Sequence, residues 1–441
     1  MLTVQQRIAE LAQRSPDFGF FSLAHYIDLN CLLEAYDRTR KDGCAGIDEV
    51  SGKEYAENLY ENLQSLLNRL KSGTYKAPPV KRKHIPKGRS GETRPIGVPT
   101  FEDKVLQRAV VMLLEPIYEY DFYDGSYGFR PGRSAHQALG EVWKTTMDMS
   151  GGWVLEVDIR KFFDTLNHKH LQEFVSRRVR DGVIRRLIGK WLNAGVLEEG
   201  ELTFSESGSP QGGVISPLLA NIYLHYVLDE WFEKQVKPVM RGQARLIRYA
   251  DDFVIIFQQR YDAERVKEVL PKRFGRYGLT VHPDKTKLLD FRAPYHRGRR
   301  WEEQPNNEGN GCGKPSTFDL LGFTHYWGKT RKGGCAVKRK TMKSRIARSV
   351  QKVDQWCRKN RHKPILEQSR KLSEKVRGHF SYYGITGNSR FLDSFLCQVR
   401  RIWQKWLSRR NNRRDFTWEK FKLLLTRYAL PAPRIVHSVY K

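Results

Sequence analysis

The chain of 441 residues carries 78 Lys and Arg against 49 Asp and Glu, a formal net charge of +29, with 39% hydrophobic and 29% charged residues. This balance excludes a disordered polyelectrolyte and leaves room for two or three domains with cores of their own. No apolar run is long enough to cross a bilayer, and the opening MLTVQQRIAELAQRS lacks a signal-peptide pattern, so the reading expects a cytoplasmic protein with no membrane partner.

In chain order, residues 1–44 read as a helical extension with apolar positions at Ile8, Leu11, Leu23 and Leu32, closed by a turn at Gly43, Gly46 and Asp48. An amphipathic helix is predicted over 54–72, ending at Gly73, followed by strand and basic, Pro/Gly-rich loop over 75–99 and a helix over 102–120. Trp153-Val154-Leu155-Glu156-Val157-Asp158 reads as a buried strand ending on an acid. A Gly-rich loop over 206–213 leads into a helix over 217–234, and 246–257 reads as a β-hairpin split by Asp251-Asp252. A helix over 262–278 and a strand at 279–281 follow. Residues 292–317 are a long polar loop, 318–326 a strand pair, and the chain from Met342 onward is helical and basic.

Charge is unevenly spread. Residues 331–441 hold 30 Lys and Arg against 6 acids, a net of +24, while the preceding 330 residues hold 48 against 43, a net of +5. A basic C-terminal quarter beside a near-neutral body points to a polyanion-binding module on a scaffold with another task. Its aromatics, among them Trp356, Phe380, Tyr382, Tyr383, Trp403, Trp406 and Trp418, are assigned mainly to the core of that module, with basic side chains tracking phosphates. The six cysteines form no C-x-x-C pair. Cys312 and Cys335 flank one loop, a weak basis for a metal site, and all six are read as free thiols. His136, His168 and His225 are read as core or helix-face residues.

Two adjacent acids at a hairpin turn are costly to ionise side by side without a cation. Asp158, at the end of a separate buried strand, supplies a third. Carboxylates converging at one sheet edge bind hard divalent cations, and two such ions can drive nucleotidyl transfer.

The ordered set Asp158-x-x-x-x-Phe163, Gly208-Ser209-Pro210-Gln211-Gly212-Gly213, Tyr249-Ala250-Asp251-Asp252, the segment 279–285 and Leu320-Leu321-Gly322-Phe323 resembles the motif series of reverse transcriptases, the group II intron-encoded type above all. Ala45-Gly46-Ile47-Asp48 resembles that branch's N-terminal extension. Ile85-Pro86-Lys87, the run from Thr93 to Pro99 and Tyr127-Gly128-Phe129-Arg130-Pro131-Gly132-Arg133 resemble its finger motifs. Arg377-Gly378-His379-Phe380-Ser381-Tyr382-Tyr383 is similar to the thumb, or maturase, region.

The resemblance implies an α+β right-hand polymerase, with fingers, a palm built on an antiparallel sheet and an α-helical thumb. Its domains would be 1–44, an N-terminal extension, 45–330, fingers and palm, and 331–441, a basic helical thumb. It implies an RNA-directed DNA polymerase with two Mg2+ ions held by Asp158, Asp251, Asp252 and the carbonyl of Ile159. Phe163 would sit under the sugar of the incoming nucleotide, a ring that clashes with a 2′-hydroxyl. Lys87 and Arg94 would clamp the triphosphate, Gln211 would hold the templating pair, Gly212 and Gly213 would allow close approach of backbone to substrate, Leu320 to Phe323 would grip the primer, and Lys285 would protonate the leaving pyrophosphate.

The implied partners are an RNA template, a DNA or RNA primer, deoxynucleoside triphosphates and an intron or other structured RNA, with maturase action on the last. No H-N-H nuclease pattern is present, so no endonuclease domain is expected. Two alternatives remain open: a host-adopted enzyme serving phage defence or CRISPR spacer acquisition, and an RNA-binding splicing chaperone with a vestigial polymerase site. An RNA-copying RNA polymerase is disfavoured by Phe163.

Overall fold

The computed structural model describes residues 2–86, 93–198, 201–203, 208, 212–294, 316–330, 333–410 and 416–438. Its elements are α1 (Leu2–Arg14), α2 (Leu29–Arg38), α3 (Gly52–Glu57), α4 (Leu59–Lys71), β1 (Val80–Pro86), β2 (Thr93–Val98), α5 (Phe101–Asp121), α6 (Ala135–Asp148), β3 (Trp153–Val157), α7 (Phe162–Thr165), α8 (His168–Arg178) and α9 (Gly182–Leu192). Then come β4 (Val196–Glu198), β5 (Glu201–Thr203), α10 (Ser216–Leu224), β6 (Ala244–Tyr249), β7 (Asp252–Phe257), α11 (Arg260–Gly275) and β8 (Lys287–Asp290). The chain finishes with β9 (Phe318–Leu320), β10 (Phe323–Lys329), β11 (Cys335–Thr341), α12 (Lys343–Asn360), α13 (Ile365–Tyr383), α14 (Ser389–Ser408) and α15 (Trp418–Arg427). The α+β class read from the sequence is borne out.

By compactness the chain forms two units, one of residues 1–138 and 157–288, the other of residues 139–156 and 289–441. The first unit contains a small sheet in the order β2-β1-β4-β5, with β1 antiparallel to β2 and parallel to β4. β6 and β7 form the antiparallel hairpin expected over 246–257, Tyr249 facing Asp252. They open a second sheet. The long apolar helix α5 is buried along most of its length, from Phe101 to Tyr118. Its N-cap Thr100 accepts from the amide of Asp103.

Three N-terminal expectations need correcting. Residues 1–44 are not continuously helical. After α1 the chain runs irregularly to α2, past Pro16 and Gly19, and Asp28 caps α2 by accepting from Cys31 N. The irregular stretch is pinned by Asp181, whose carboxylate accepts from Leu23 N at 2.6 Å and Ala24 N at 2.8 Å while capping α9. Leu11, one of the apolar positions that set the helical spacing, is 47% exposed. The helix over 54–72 is two helices broken at Asn58, with a Ser51–Glu54 capping box starting the first.

The helix predicted over 217–234 begins as α10 but continues through two π segments, His225–Asp229 and Phe232–Val236, and a 3-10 turn at Lys237–Val239. The predicted strand at 279–281 reduces to one bridge, Ile159 with Val281. Of the polar loop 292–317, residues 295–315 lie outside the described residues, as does Cys312; the other five cysteines are free thiols.

The second unit carries the antiparallel sheet β11-β10-β9 and the helices α12 to α15. Leu372, Val376, Phe380, Phe395, Val399, Trp403 and Phe421 pack into one core, as expected of these aromatics. Trp403 Nε1 donates to Gln368 Oε1 at 3.0 Å, satisfying the one polar atom of a fully buried ring. Trp418 departs from expectation at 37% exposed. Among the described residues no helix is long and apolar enough to cross a membrane.

Candidate active site

The hairpin turn is shaped by its backbone. Ala250 has φ +56, the left-handed region that L-residues avoid, and it turns the chain between Tyr249 and Asp251. Asp251 is half-buried and Asp252, the first residue of β7, is exposed. Asp158 follows directly on Val157, the last residue of β3, and falls in the same compact unit as the hairpin.

The segment after β3 is held by 279–285. Arg160 N–H donates to Thr280 O and His282 N–H donates to Asp158 O, each at 2.8 Å. These bonds flank the Ile159–Val281 bridge, so Ile159 occupies a non-hydrogen-bonded pair and turns its own carbonyl away from Val281. Lys285, which the sequence assigned to the leaving group, donates to Asp158 Oδ2 at 2.8 Å. Asp158 and Lys285, 127 positions apart in sequence, are thus brought together.

Phe162 and Phe163 divide their tasks. Phe162 is 2% exposed and belongs to the core, whereas Phe163 is half-buried, its ring edge-on to Phe162 at 5.2 Å. Gly208, with φ +97, donates its amide to Leu166 O at 2.7 Å; a methyl group on it would stand 3.1 Å from Asp164 O and 3.2 Å from Phe163 O. His168 Nε2 bonds Gly208 O from the other side. At the far end of the same loop Gly212, with φ +126, lies against the backbone of Gly97 in β2, where a side chain would also strike Ile96 Cγ2 at 2.7 Å. Ile215 N–H then donates to Gln107 Oε1 at 3.3 Å, fixing the loop's exit to α5. Ser209, Pro210 and Gln211 lie outside the described residues, as do Lys87 and the side chain of Arg94.

Two further motifs dock on the same frame. A methyl on Gly46 would come within 2.6 Å of Thr100 N, so the Ala45-Gly46-Ile47-Asp48 motif seats against the end of β2. Gly128 closes on Ala250 N, and Tyr127 N–H donates to Arg248 O at 2.8 Å. Phe129 has φ +56, is 58% exposed and stands 6.2 Å from the Tyr249 ring. Arg130, in the same motif, is 6% exposed, and its Nε donates to both carboxylate oxygens of Glu119 at 3.0 and 3.1 Å.

Sequence reasoning missed Arg248, Asn221 and Asp229. Arg248 is fully buried in β6 and its Nη2 bonds Asp229 Oδ2 at 2.6 Å. The signal was available: Arg248 falls in register with Ala244 and Leu246 on one face of β6, and an arginine on an apolar face needs a buried partner. His225, in the first π segment, is core as expected, and burial pushes its pKa down to about 3. Asp103 lies in the network that holds the loop's exit, accepting from Tyr75, Trp191 and Gln107; burial pushes its pKa up to about 6.

In the second unit, Leu320 to Phe323 form the tight β9–β10 turn, Leu321 at φ +50 and Gly322 at φ +82. Tyr382 OH donates to Leu321 O at 2.9 Å, and Phe323 packs with Leu139 and Ile385. The hairpin motif and the Arg377–Tyr383 motif are thereby joined.

No group of three or more His, Cys, Asp or Glu among the described residues forms a ready metal cage. Magnesium is ordinarily held by one or two carboxylates plus waters and substrate phosphates, so carboxylate oxygens at the end of β3 and the start of β7 are donors of the fitting kind.

Residues 85–325, more than half of the chain, match the family described as reverse transcriptase (RNA-dependent DNA polymerase). Protein YkfC of Escherichia coli (strain K12) is 37% identical over 278 residues, 55% of this chain and 71% of that one. The group II intron-encoded protein LtrA of Lactococcus lactis subsp. cremoris is 35% identical over 277 residues, 62% of this chain and 41% of that one. The uncharacterized 91 kDa protein in the cob intron of Schizosaccharomyces pombe is 30% identical over 282 residues, 52% and 34% of the respective chains. The chain therefore spans less than half the length of the two intron proteins.

Proposed function

The chain belongs to the reverse transcriptase family, of the group II intron-encoded type, and from that premise we propose that it copies RNA into DNA and binds structured intron RNA as a maturase. The observation that carries the reading is Asp158 at the end of β3, bonded to Lys285 within the compact unit that also holds the Asp251–Asp252 turn. Asp158, Asp251 and Asp252, with the carbonyl of Ile159, would hold two magnesium ions, which supply activation of the primer 3′-hydroxyl and neutralisation of the leaving pyrophosphate.

The chain's own residues do the rest. Phe163, half-buried, presents its ring to the sugar and excludes a 2′-hydroxyl. Lys285, bonded to Asp158 Oδ2, would supply the proton to the leaving pyrophosphate. Lys87 and Arg94 clamp the triphosphate, Gln211 holds the templating pair, and the turn at Leu321 and Gly322 grips the primer. In this reading β1 and β2 belong to the fingers, the sheet opened by β6 and β7 is the palm, and α12 to α15 form the thumb.

Primer extension on RNA with magnesium and deoxynucleotides tests the proposal. Wild type should extend, Asp251→Ala should not, and the variant's RNA affinity should stay near wild type. Extension by Asp251→Ala at the wild-type rate would remove the carboxylate argument. RNA binding without extension by wild type would favour the splicing chaperone instead. Phe163→Ala should admit ribonucleotides, and unchanged discrimination would refute the sugar gate.

A further inference from the structure

We propose that Arg248 is the positioning residue for the paired aspartates, its buried guanidinium fixing the left-handed turn at Ala250 from which Asp251 and Asp252 project. The inference rests on the polymerase reading above.

The guanidinium is fully buried and spends its donors in three directions. Nε and Nη2 fork onto Asp229, to Oδ1 at 2.9 Å and Oδ2 at 2.6 Å. Nη1 donates to Asn221 Oδ1 at 2.9 Å and to the carbonyl of Ala250 at 3.1 Å. Arg248 therefore closes the turn on itself, reaching forward two residues to the carbonyl of the strained position.

The opposite side of the turn is gripped through the same asparagine. Asn221 Nδ2 donates to Gly128 O at 2.7 Å, and Gly128 packs on Ala250 N. An arginine offers only donors and a carbonyl only an acceptor, so the Asn221 amide has one orientation that serves both. Its side chain ties the Arg248 side of the turn to the Gly128 side.

The helix that carries Asn221 and Asp229 is built for this. The two residues are eight apart, and in an unbroken α-helix they would point about 80° apart. The π segment at His225–Asp229 takes up the extra residue within its wider turn, so both reach one guanidinium. A lysine at 248 would keep the charge and lose the fork that bonds Asp229, Asn221 and Ala250 together.

The test compares wild type, Arg248→Lys and the double variant Arg248→Met with Asp229→Leu, which replaces the buried ion pair by apolar groups and retains the fold if the single variant does not. Binding of Mn2+ to each protein with primer–template is followed by electron paramagnetic resonance, alongside magnesium titrations of extension, primer–template affinity and melting temperature. We expect metal affinity to fall about tenfold or more in both variants, with primer–template affinity unchanged. Wild-type Mn2+ affinity in a folded variant overturns the inference, whatever its melting temperature. If wild type binds Mn2+, loses that affinity on Arg248→Lys, and yet never extends a primer, the positioning role stands and the polymerase reading falls.

Discussion

His225 lies in the π segment whose Asp229 pairs with Arg248, and it shows how burial sets the charge state of a residue. The His225 ring stacks on Tyr123 at 5.6 Å and 29°, and its Nδ1 has no hydrogen-bond partner. The folded protein keeps it neutral down to about pH 3, while the unfolded chain protonates it near the ordinary value of 6.5. Its contribution to stability is thus present above pH 6.5 and is lost as the pH falls toward 3. His225→Phe keeps an aromatic in the stack and removes that titration. The variant should gain about 2–3 kcal/mol on wild type between pH 7.5 and pH 4.5, read from urea midpoints. An equal difference at both pH values would refute the assignment. Residues of this kind are poorly legible in a sequence: His225 reads as core, but Arg248 and Asp229 read as surface until their pairing is seen.

At the scale of elements, the β6–β7 hairpin, β3 and α5 were legible because period and punctuation agree: apolar runs of strand length broken by acids, and a long helix begun at Thr100. What escaped was tertiary. Nothing in the local pattern of 225–236 distinguishes π from α, because the cause is a partner on another strand. The predicted strand at 279–281 has the right composition but touches its neighbour at one bridge only. The breaks at Asn58 and across 15–28 came from capping residues read as helix interior. The candidate aspartates were read from the residues themselves and Phe163 and Lys285 from the resemblance, whereas the docking of Gly208, Gly212 and Gly128 onto neighbouring backbone needed coordinates.

One of these contacts makes a prediction. Gly128→Ala places a methyl on Ala250 N, and the overlap is with backbone, so the turn must move. We expect extension to fall by about 10²-fold, with nearly unchanged RNA binding; wild-type extension by this variant would show that the turn tolerates displacement.

For the whole molecule, the charge asymmetry acquires a surface. Arg345, Lys352 and Lys359 are exposed on α12 at seven-residue spacing, which aligns them along one face. Replacing all three by Gln should reduce the slope of log affinity for single-stranded RNA against log salt by about 2. A slope equal to wild type would show that this face does not meet phosphate. The three-part division by motif and charge, 1–44, 45–330 and 331–441, remains a proposal about tasks rather than about compactness.

Neither compact unit is a single stretch of chain. Residues 139–156 belong with 289–441, and the whole of 157–288 is made between them. On a ribosome adding about 5–20 residues per second, the early stretch waits on the order of ten seconds before its companions begin to emerge. Over that interval Val154 and Leu155, fully buried in the finished protein, have no completed core to enter. The nascent chain has a vulnerable adolescence, and slowing translation across 157–288 would lengthen it.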